Sequence, residues 1–324
     1  MRIIRVIFSL AAALIFLLGV VWFVGSQPLF LTPGAVEVPS VSPRKLESHV
    51  RMLSETLPAR IGREENLKPT VHWIEQQLKP YGKTQRQTYV VGGEKFHNIL
   101  LDFGPNSDEV IIVGAHYDTA HGFPGADDNA SGVAVLIELA HLLSEARQEL
   151  SMRVELVFYT LEEPPYFRTN KMGSFIHASN LKDKQQKIRV MIALDMVGYF
   201  SDEQGSQHFP VPALKYIYPD KGNFIAIVGN LNNTKAVRRI KRSFITATDL
   251  PVYSFNAPSF IVGIDFSDHL NYWKHGYDAV LVTDTSFNRN TAYHTTADTA
   301  DRLDYVKMSR VVQSLYQAVL DYSL

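Results

Sequence analysis

The chain has 324 residues, 46% of them hydrophobic, with a net charge of −1 and no cysteine. That length and apolar content provide for a large core, either one big α/β domain or two smaller ones. The near-neutral charge, with no Lys/Arg run interleaved with aromatics, leaves no electrostatic footprint for nucleic acid, and without cysteine any metal must be held by His, Asp and Glu.

At the N-terminus, Arg2 and Arg5 precede an uncharged apolar run, Val6 to Val24. As a helix these 19 residues span roughly 28 Å at about 1.5 Å per residue. A bilayer core is about 30 Å thick. Basic residues ahead of the run keep its start cytoplasmic. Residues 1–25 are therefore expected to be an uncleaved transmembrane anchor in the inner (cytoplasmic) membrane, with the rest of the chain in the periplasm or exterior. The alternative is a cleaved signal peptide and a secreted chain. Against it, the run is longer than a usual signal core, and Val24-Gly-Ser-Gln27 is a poor cleavage site. Pro28, Pro33, Pro39 and Pro43 mark 26–45 as a linker, which starts the folded domain near Leu46 and extends it over 46–324.

Two helical segments come first, around Leu46–Leu57 and Leu67–Leu78; the second has Val71, Ile74 and Leu78 at helical spacing. Gln87–Val91 and Phe96–Phe103 flank Gly92-Gly93, the pattern of a β-hairpin. Short apolar runs then recur at Val110–Val113, Val154–Phe158, Val190–Leu194, Phe224–Val228 and Ala279–Val282. They are β-branched and aromatic without clean alternation, as in strands buried on both faces of a mostly parallel sheet. Between them Val133–Leu143 is helical in period, with Val133, Leu136, Ile137 and Ala140 on one face and Glu138, His141 and Glu145 on another. Val306–Leu320 is helical too. The expected class is α/β, a mostly parallel central sheet with helices on both faces.

Polar residues follow four of these strands: His116 and Asp118, then Glu162 and Glu163, then Asp195, then Asp284 with Tyr293-His294 beyond a loop. That edge of an open parallel sheet is where ligands bind. Histidines and carboxylates without cysteine suit Zn²⁺ or a similar divalent ion. Five ligands exceed one tetrahedral site and suit two metals sharing a carboxylate.

Five motifs in order resemble the M28 family of zinc aminopeptidases: Ala115-His-Tyr-Asp-Thr119, Gly125-Ala-Asp-Asp-Asn-Ala-Ser-Gly132, Glu162-Glu163, Leu194-Asp-Met-Val-Gly198 and Tyr293-His-Thr295. The resemblance implies the phosphorylase/hydrolase-like zinc exopeptidase fold and two Zn²⁺ per chain. It implies that His116 and Asp195 hold one metal, Glu163 and His294 the other, and that Asp128 bridges them. Glu162 is implied as the general base. Asp118 would accept a hydrogen bond from His116, and Tyr293 would aim its hydroxyl at the developing oxyanion. Asp127 is expected to serve backbone N–H groups at a helix start rather than a metal. The segment Pro164–Met172 departs from the family's shorter turn, which bears on substrate preference.

Several alternatives stand beside these readings. Ser267-Asp-His269 looks like part of a catalytic triad but is expected to face the pocket wall, because triad members meet in space rather than in sequence. Asn129-Ala-Ser131 matches a glycosylation sequon but lies inside the metal motif. The aromatics Tyr199, Phe200, Phe209, Tyr216 and Tyr218 are expected mostly to pack or to form a lid. The substrate is a peptide, and the expected reaction is release of its N-terminal residue. A carboxypeptidase or dipeptidase of the same fold would need a basic cluster, for which Arg168 and Lys171 are the nearest residues. A glutaminyl cyclase would use one zinc, and a receptor-like homologue would have lost ligands or the base. Nothing in the sequence sets an oligomeric state.

Overall fold

The computed structural model describes residues 2–57 and 59–323. It begins with helix α1 (Arg2–Ser26). Residues 27–42 run without regular structure to α2 (Pro43–Arg51), which continues into a wide turn at Met52–Thr56. Helix α3 (Glu64–Leu78) precedes the hairpin strands β1 (Gln85–Val91) and β2 (Glu94–Phe103). Val91 pairs with Glu94, so the turn is Gly92-Gly93 alone. Both have positive φ, 61° and 89°, as the favoured two-residue hairpin turn requires.

Strand β3 (Glu109–His116), helix α4 (Gly132–Glu145), strand β4 (Arg153–Tyr159), helix α5 (Gly173–Asp183) and strand β5 (Lys187–Leu194) follow. After a long irregular stretch come β6 (Ile225–Gly229), α6 (Thr234–Ala247), β7 (Val252–Asn256), α7 (His269–Lys274), β8 (Ala279–Thr283) and α8 (Tyr305–Ser323). One eight-stranded sheet has the order β1-β2-β4-β3-β5-β8-β6-β7. β4, β3, β5 and β8 are mutually parallel. β2 runs against β4, and β6 runs against β8. The sheet is thus mostly parallel and mixed at both sides, as expected in class.

The central runs lack alternation because both faces are covered. Ile111 and Val113 of β3 join the core formed with α2, α3, α4, α6 and α8. Val110 and Ile112 face the opposite core, built with Ala178 and Leu181 of α5 and Tyr272 of α7. α4 differs from expectation: its expected polar face is not wholly in solvent. Glu138 is 3% exposed and pairs with His49 Nε2 at 3.1 Å, because α2 packs over that side of the helix.

Residues 27–42 lie along α6 and α8. Gly34 and Val36 N–H donate to Ile245 and Thr246, and Gln313 Nε2 donates to the Pro39 carbonyl. Among the described residues one helix is long and apolar enough to cross a membrane, the Ile7–Ser26 part of α1.

Candidate metal centre

The parallel block brings the separated motifs to one edge. His116 closes β3, Asp195 follows β5 directly, and Glu162 and Glu163 lie just past β4. His294 comes from the loop after β8, and Asp128 from the irregular turn before α4. Gly125 opens that turn at φ 57°, where a Cβ would lie 2.3 Å from the Asp128 carbonyl oxygen. Only glycine admits both the backbone angle and the close approach.

Two triads of potential ligand atoms share Asp128, each gathered within 4.8 Å: His116, Asp128 and Asp195, and Asp128, Glu163 and His294; a third joins His116, Glu162 and Glu163. Asp128 Oδ1 lies 3.4 Å from His116 Nε2 and its Oδ2 3.1 Å from His294 Nε2. Asp195 Oδ1 is 3.7 Å from His116 Nε2, and Glu163 Oε2 is 3.2 Å from His294 Nε2. Despite this crowding, neither Nε2 atom makes an aligned hydrogen bond, nor does Glu163 Oε1, and all three are buried. Buried polar atoms are normally satisfied. Imidazole nitrogens facing carboxylate oxygens without bonding to them are the donor set a divalent cation completes.

Electrostatics point the same way. Burial opposes charge on His116, but Glu162, Asp118, Asp128 and Asp195 outweigh it and hold its pKa well above the usual imidazole value. Burial likewise opposes charge on His294, yet Asp128 and Glu163 raise it to about 10. Burial raises Glu163 to about 7, helped by Asp128. It also raises Glu162 and Asp195. Asp128 is the exception: the two histidines overcome burial and hold it below the ordinary carboxylate range. The cluster has more acid than its own cations can balance.

Two carboxylates pin the loops that carry these groups. Asp118 Oδ1 and Oδ2 accept the N–H groups of Glu162 and Glu163 at 3.2 and 3.1 Å. Asp298 Oδ1 and Oδ2 accept those of Asp127 and Asp128 at 3.0 and 3.1 Å. The expected bond from His116 to the Asp118 side chain is the longer contact. His116 Nδ1 lies 3.2 Å from the backbone carbonyl of Asp118 and 3.7 Å from its carboxylate. The carboxylate is instead taken up by the N–H groups of Glu162 and Glu163.

Asp127 stays out of all three triads. Its carboxylate accepts from Gly198 N–H at 3.0 Å and Asn290 Nδ2 at 2.8 Å. Asn129 is fully buried and donates to the Leu194 carbonyl at 2.8 Å. Ser267, Asp268 and His269 form no triad: His269 Nε2 bonds the Ile264 carbonyl at 2.9 Å, and burial lowers its pKa to about 4. Tyr293 stacks on the His294 ring at 3.8 Å between centroids. Arg60 and Asp298 are further members that motif reading misses. Fully buried, Arg60 donates to the carbonyls of Leu53, Tyr117, Pro124 and Gly125, and so ties the two ligand loops to the N-terminal helices.

The centre opens into a cleft of about 190 Å³ lined mainly by apolar groups, among them Phe167, Tyr218, Phe224, Phe255, Phe266 and Phe287. Asp128, Glu162, Glu163, Asp195 and His294 form its polar end, and among the described residues no lysine or arginine lines it. Phe209 and Tyr218 stack with centroids 6.0 Å apart at the wall, while Tyr216 is 82% exposed. Arg168 is engaged by Asp265 and lies over Phe266.

A mixed α/β sheet thus carries a His/carboxylate cluster, a candidate metal site, at the C-terminal ends of its parallel strands. The chain belongs to Peptidase family M28, whose profile matches residues 98–319. It is 42% identical over 325 residues to the Escherichia coli (strain K12) protein YfbL, itself uncharacterized, covering 96% of this chain and 97% of YfbL. It is 25% identical over 226 residues to the probable aminopeptidase YDR415C of Saccharomyces cerevisiae, 66% of this chain but only 53% of that protein. Among solved structures, the Legionella pneumophila LapA aminopeptidase aligns with a TM-score of 0.68 at 17% identity, over 87% of this chain and 72% of LapA. A Bacteroides thetaiotaomicron glutaminyl cyclase aligns with a TM-score of 0.66 at 18% identity, over 88% and 99%. These two likenesses show the shared fold. Family membership makes this chain a peptidase-class hydrolase.

Proposed function

We propose that the chain is a membrane-anchored aminopeptidase dependent on two Zn²⁺ ions. The observation that carries the metal assignment is Asp128, whose two oxygens face one histidine each. His116, Asp195 and Asp128 would hold one ion, and Asp128, Glu163 and His294 the other. Such a pair supplies an activated water and polarises the scissile carbonyl.

The chain's own residues do the rest. Glu162 is 5% exposed, lines the cleft and is raised by burial, so its carboxylate readily takes a proton. It receives one from the attacking water and returns it to the leaving amine. Asp118 keeps Glu162 and Glu163 in place through their backbone N–H groups, as a positioning residue. Tyr293 stands at the cleft wall, where its hydroxyl can donate to the developing oxyanion. The apolar cleft takes a substrate side chain.

The absence of Lys and Arg from the cleft lining favours the amine end of a peptide over the carboxylate end. A substrate ammonium finds carboxylates there, whereas a C-terminal carboxylate finds no lysine or arginine in the lining, and the nearby Arg168 is already paired. α1 serves as the anchor, which places the catalytic domain in the periplasm or exterior. A panel of aminoacyl, C-terminal and N-terminal glutaminyl fluorogenic substrates, run with and without chelator, tests this reading. Chelator-sensitive release from aminoacyl substrates is the expected result. Preference for C-terminal substrates, or cyclisation of glutaminyl ones, would overturn it.

A further inference from the structure

The anchor's outer end is bolted to a basic helix. Lys241 Nζ, buried, donates to the carbonyls of Ser26 and Gln27 at 2.8 and 3.1 Å, and Ser254 Oγ donates to Ser26 at 2.7 Å. Arg238 Nη1 reaches the Pro28 carbonyl at 3.3 Å. From there the chain climbs along α6, so that Val36 bonds Thr246. The part of α6 around Arg238 and Lys241 therefore lies beside the end of the apolar span; with α1 across a bilayer, that is the level of lipid headgroups.

That helix, TKAVRRIKRSFITA, carries five cations and no acidic residue. Lys241 holds the anchor, and Arg239 bonds the Asp321 carbonyl and lies over Tyr322. Lys235, Arg238 and Arg242 remain, all exposed and spaced three and four residues apart on one face. Among the described residues no ion pair involves them. Exposed apolar residues adjoin these contacts in sequence. Trp22 and Phe23 occupy the last turns of α1, Phe30 is 93% exposed just beyond it, and Leu231 precedes α6. Aromatics at the end of a span and cations beside them match a bilayer interface.

We propose that the Lys235–Arg238–Arg242 face of α6 binds anionic phospholipid headgroups of the bilayer that α1 enters, seating the domain on the membrane in a fixed orientation. The proposal rests on α1 being retained as an anchor. Charge complementarity selects the occupant: a cation at an anionic surface favours contact about fivefold, whereas zwitterionic headgroups offer no such gain.

The chain has no cysteine, so Asn232→Cys, at an exposed position just before α6, gives a single labelling site. The full chain carrying a fluorophore there is placed in nanodiscs containing headgroup-nitroxide lipid, with or without phosphatidylglycerol. Quenching should be severalfold stronger with phosphatidylglycerol. Lys235→Gln, Arg238→Gln and Arg242→Gln together should abolish that difference, as should 0.5 M salt. Hydrolysis of a soluble peptide reports whether the triple variant is folded. Equal quenching in both lipids, unmoved by the triple substitution, would overturn the headgroup site while the chain still co-purifies with discs. Loss of the chain from the discs would instead overturn the anchor, and the headgroup site with it.

Discussion

Replacing Asp118 with asparagine should loosen the Glu162-Glu163 dipeptide. Each carboxylate oxygen of Asp118 takes one N–H, at 3.2 and 3.1 Å. An amide keeps one acceptor oxygen and turns an NH2 group toward the other N–H. One bond is lost, and Asp118 is 1% exposed, so water cannot take its place. Hydrogen bonds to charged groups contribute about 1.5–3 kcal/mol, and an orphaned buried donor costs a similar amount. At roughly 2 °C per kcal/mol for a domain of this size, Tm of the metal-free protein should fall by about 3–6 °C. Two of the four acids at the centre, Glu162 and Glu163, hang from this dipeptide, so zinc affinity and kcat/KM should fall together, about 10- to 100-fold. The seat of His116 stays in place because its nearer acceptor is the backbone carbonyl of Asp118. Calorimetry and zinc competition with a chromophoric chelator give both readouts. Unchanged melting and unchanged zinc affinity would refute the clamp.

Glu162→Gln should retain metal and KM while kcat falls about 10²–10⁴-fold. Glu163→Gln should lose metal affinity and recover in part with added zinc; the reverse pattern would show the two roles exchanged. Burial raises Asp268 and Asp298 to about 7 from an ordinary 3.8. The folded chain therefore holds their protons more tightly than the unfolded chain between about pH 4 and 7. In chelator, Tm should decline as pH rises through that window, and a climb over the same range would contradict this. A reporter fused after Leu324 should be active only outside the cytoplasm, with the chain in the membrane fraction; a soluble species beginning near Ser26 would replace the anchor with a signal peptide.

The central strands could be read from sequence because burial on both faces leaves runs such as Val110–Val113 continuously apolar, and the polar residues after them mark one edge of the sheet. Strand direction leaves no such trace. Phe224–Val228 has the same composition as its parallel neighbours, yet β6 runs against β8. β7, Val-Tyr-Ser-Phe-Asn, is short, alternates in burial and follows Pro251, so it does not stand out. α6 is amphipathic but breaks its apolar stripe with buried Lys241, whose backbone partners lie more than 200 residues earlier. Asp298 and Arg60 act on backbone groups up to 171 and 65 residues away. A side chain that serves a distant peptide group has no local pattern to betray it.

The central claim is a pair of metals sharing Asp128. It is tested most directly by metal analysis of the purified full chain under zinc-replete conditions, beside Asp128→Ala. The geometry predicts close to two divalent ions per chain. Removal of the shared carboxylate should weaken both sites, since Asp128 supplies an oxygen to each histidine's triad and its negative charge offsets the repulsion between the cations. A stoichiometry of one, left unchanged by Asp128→Ala, would contradict the account.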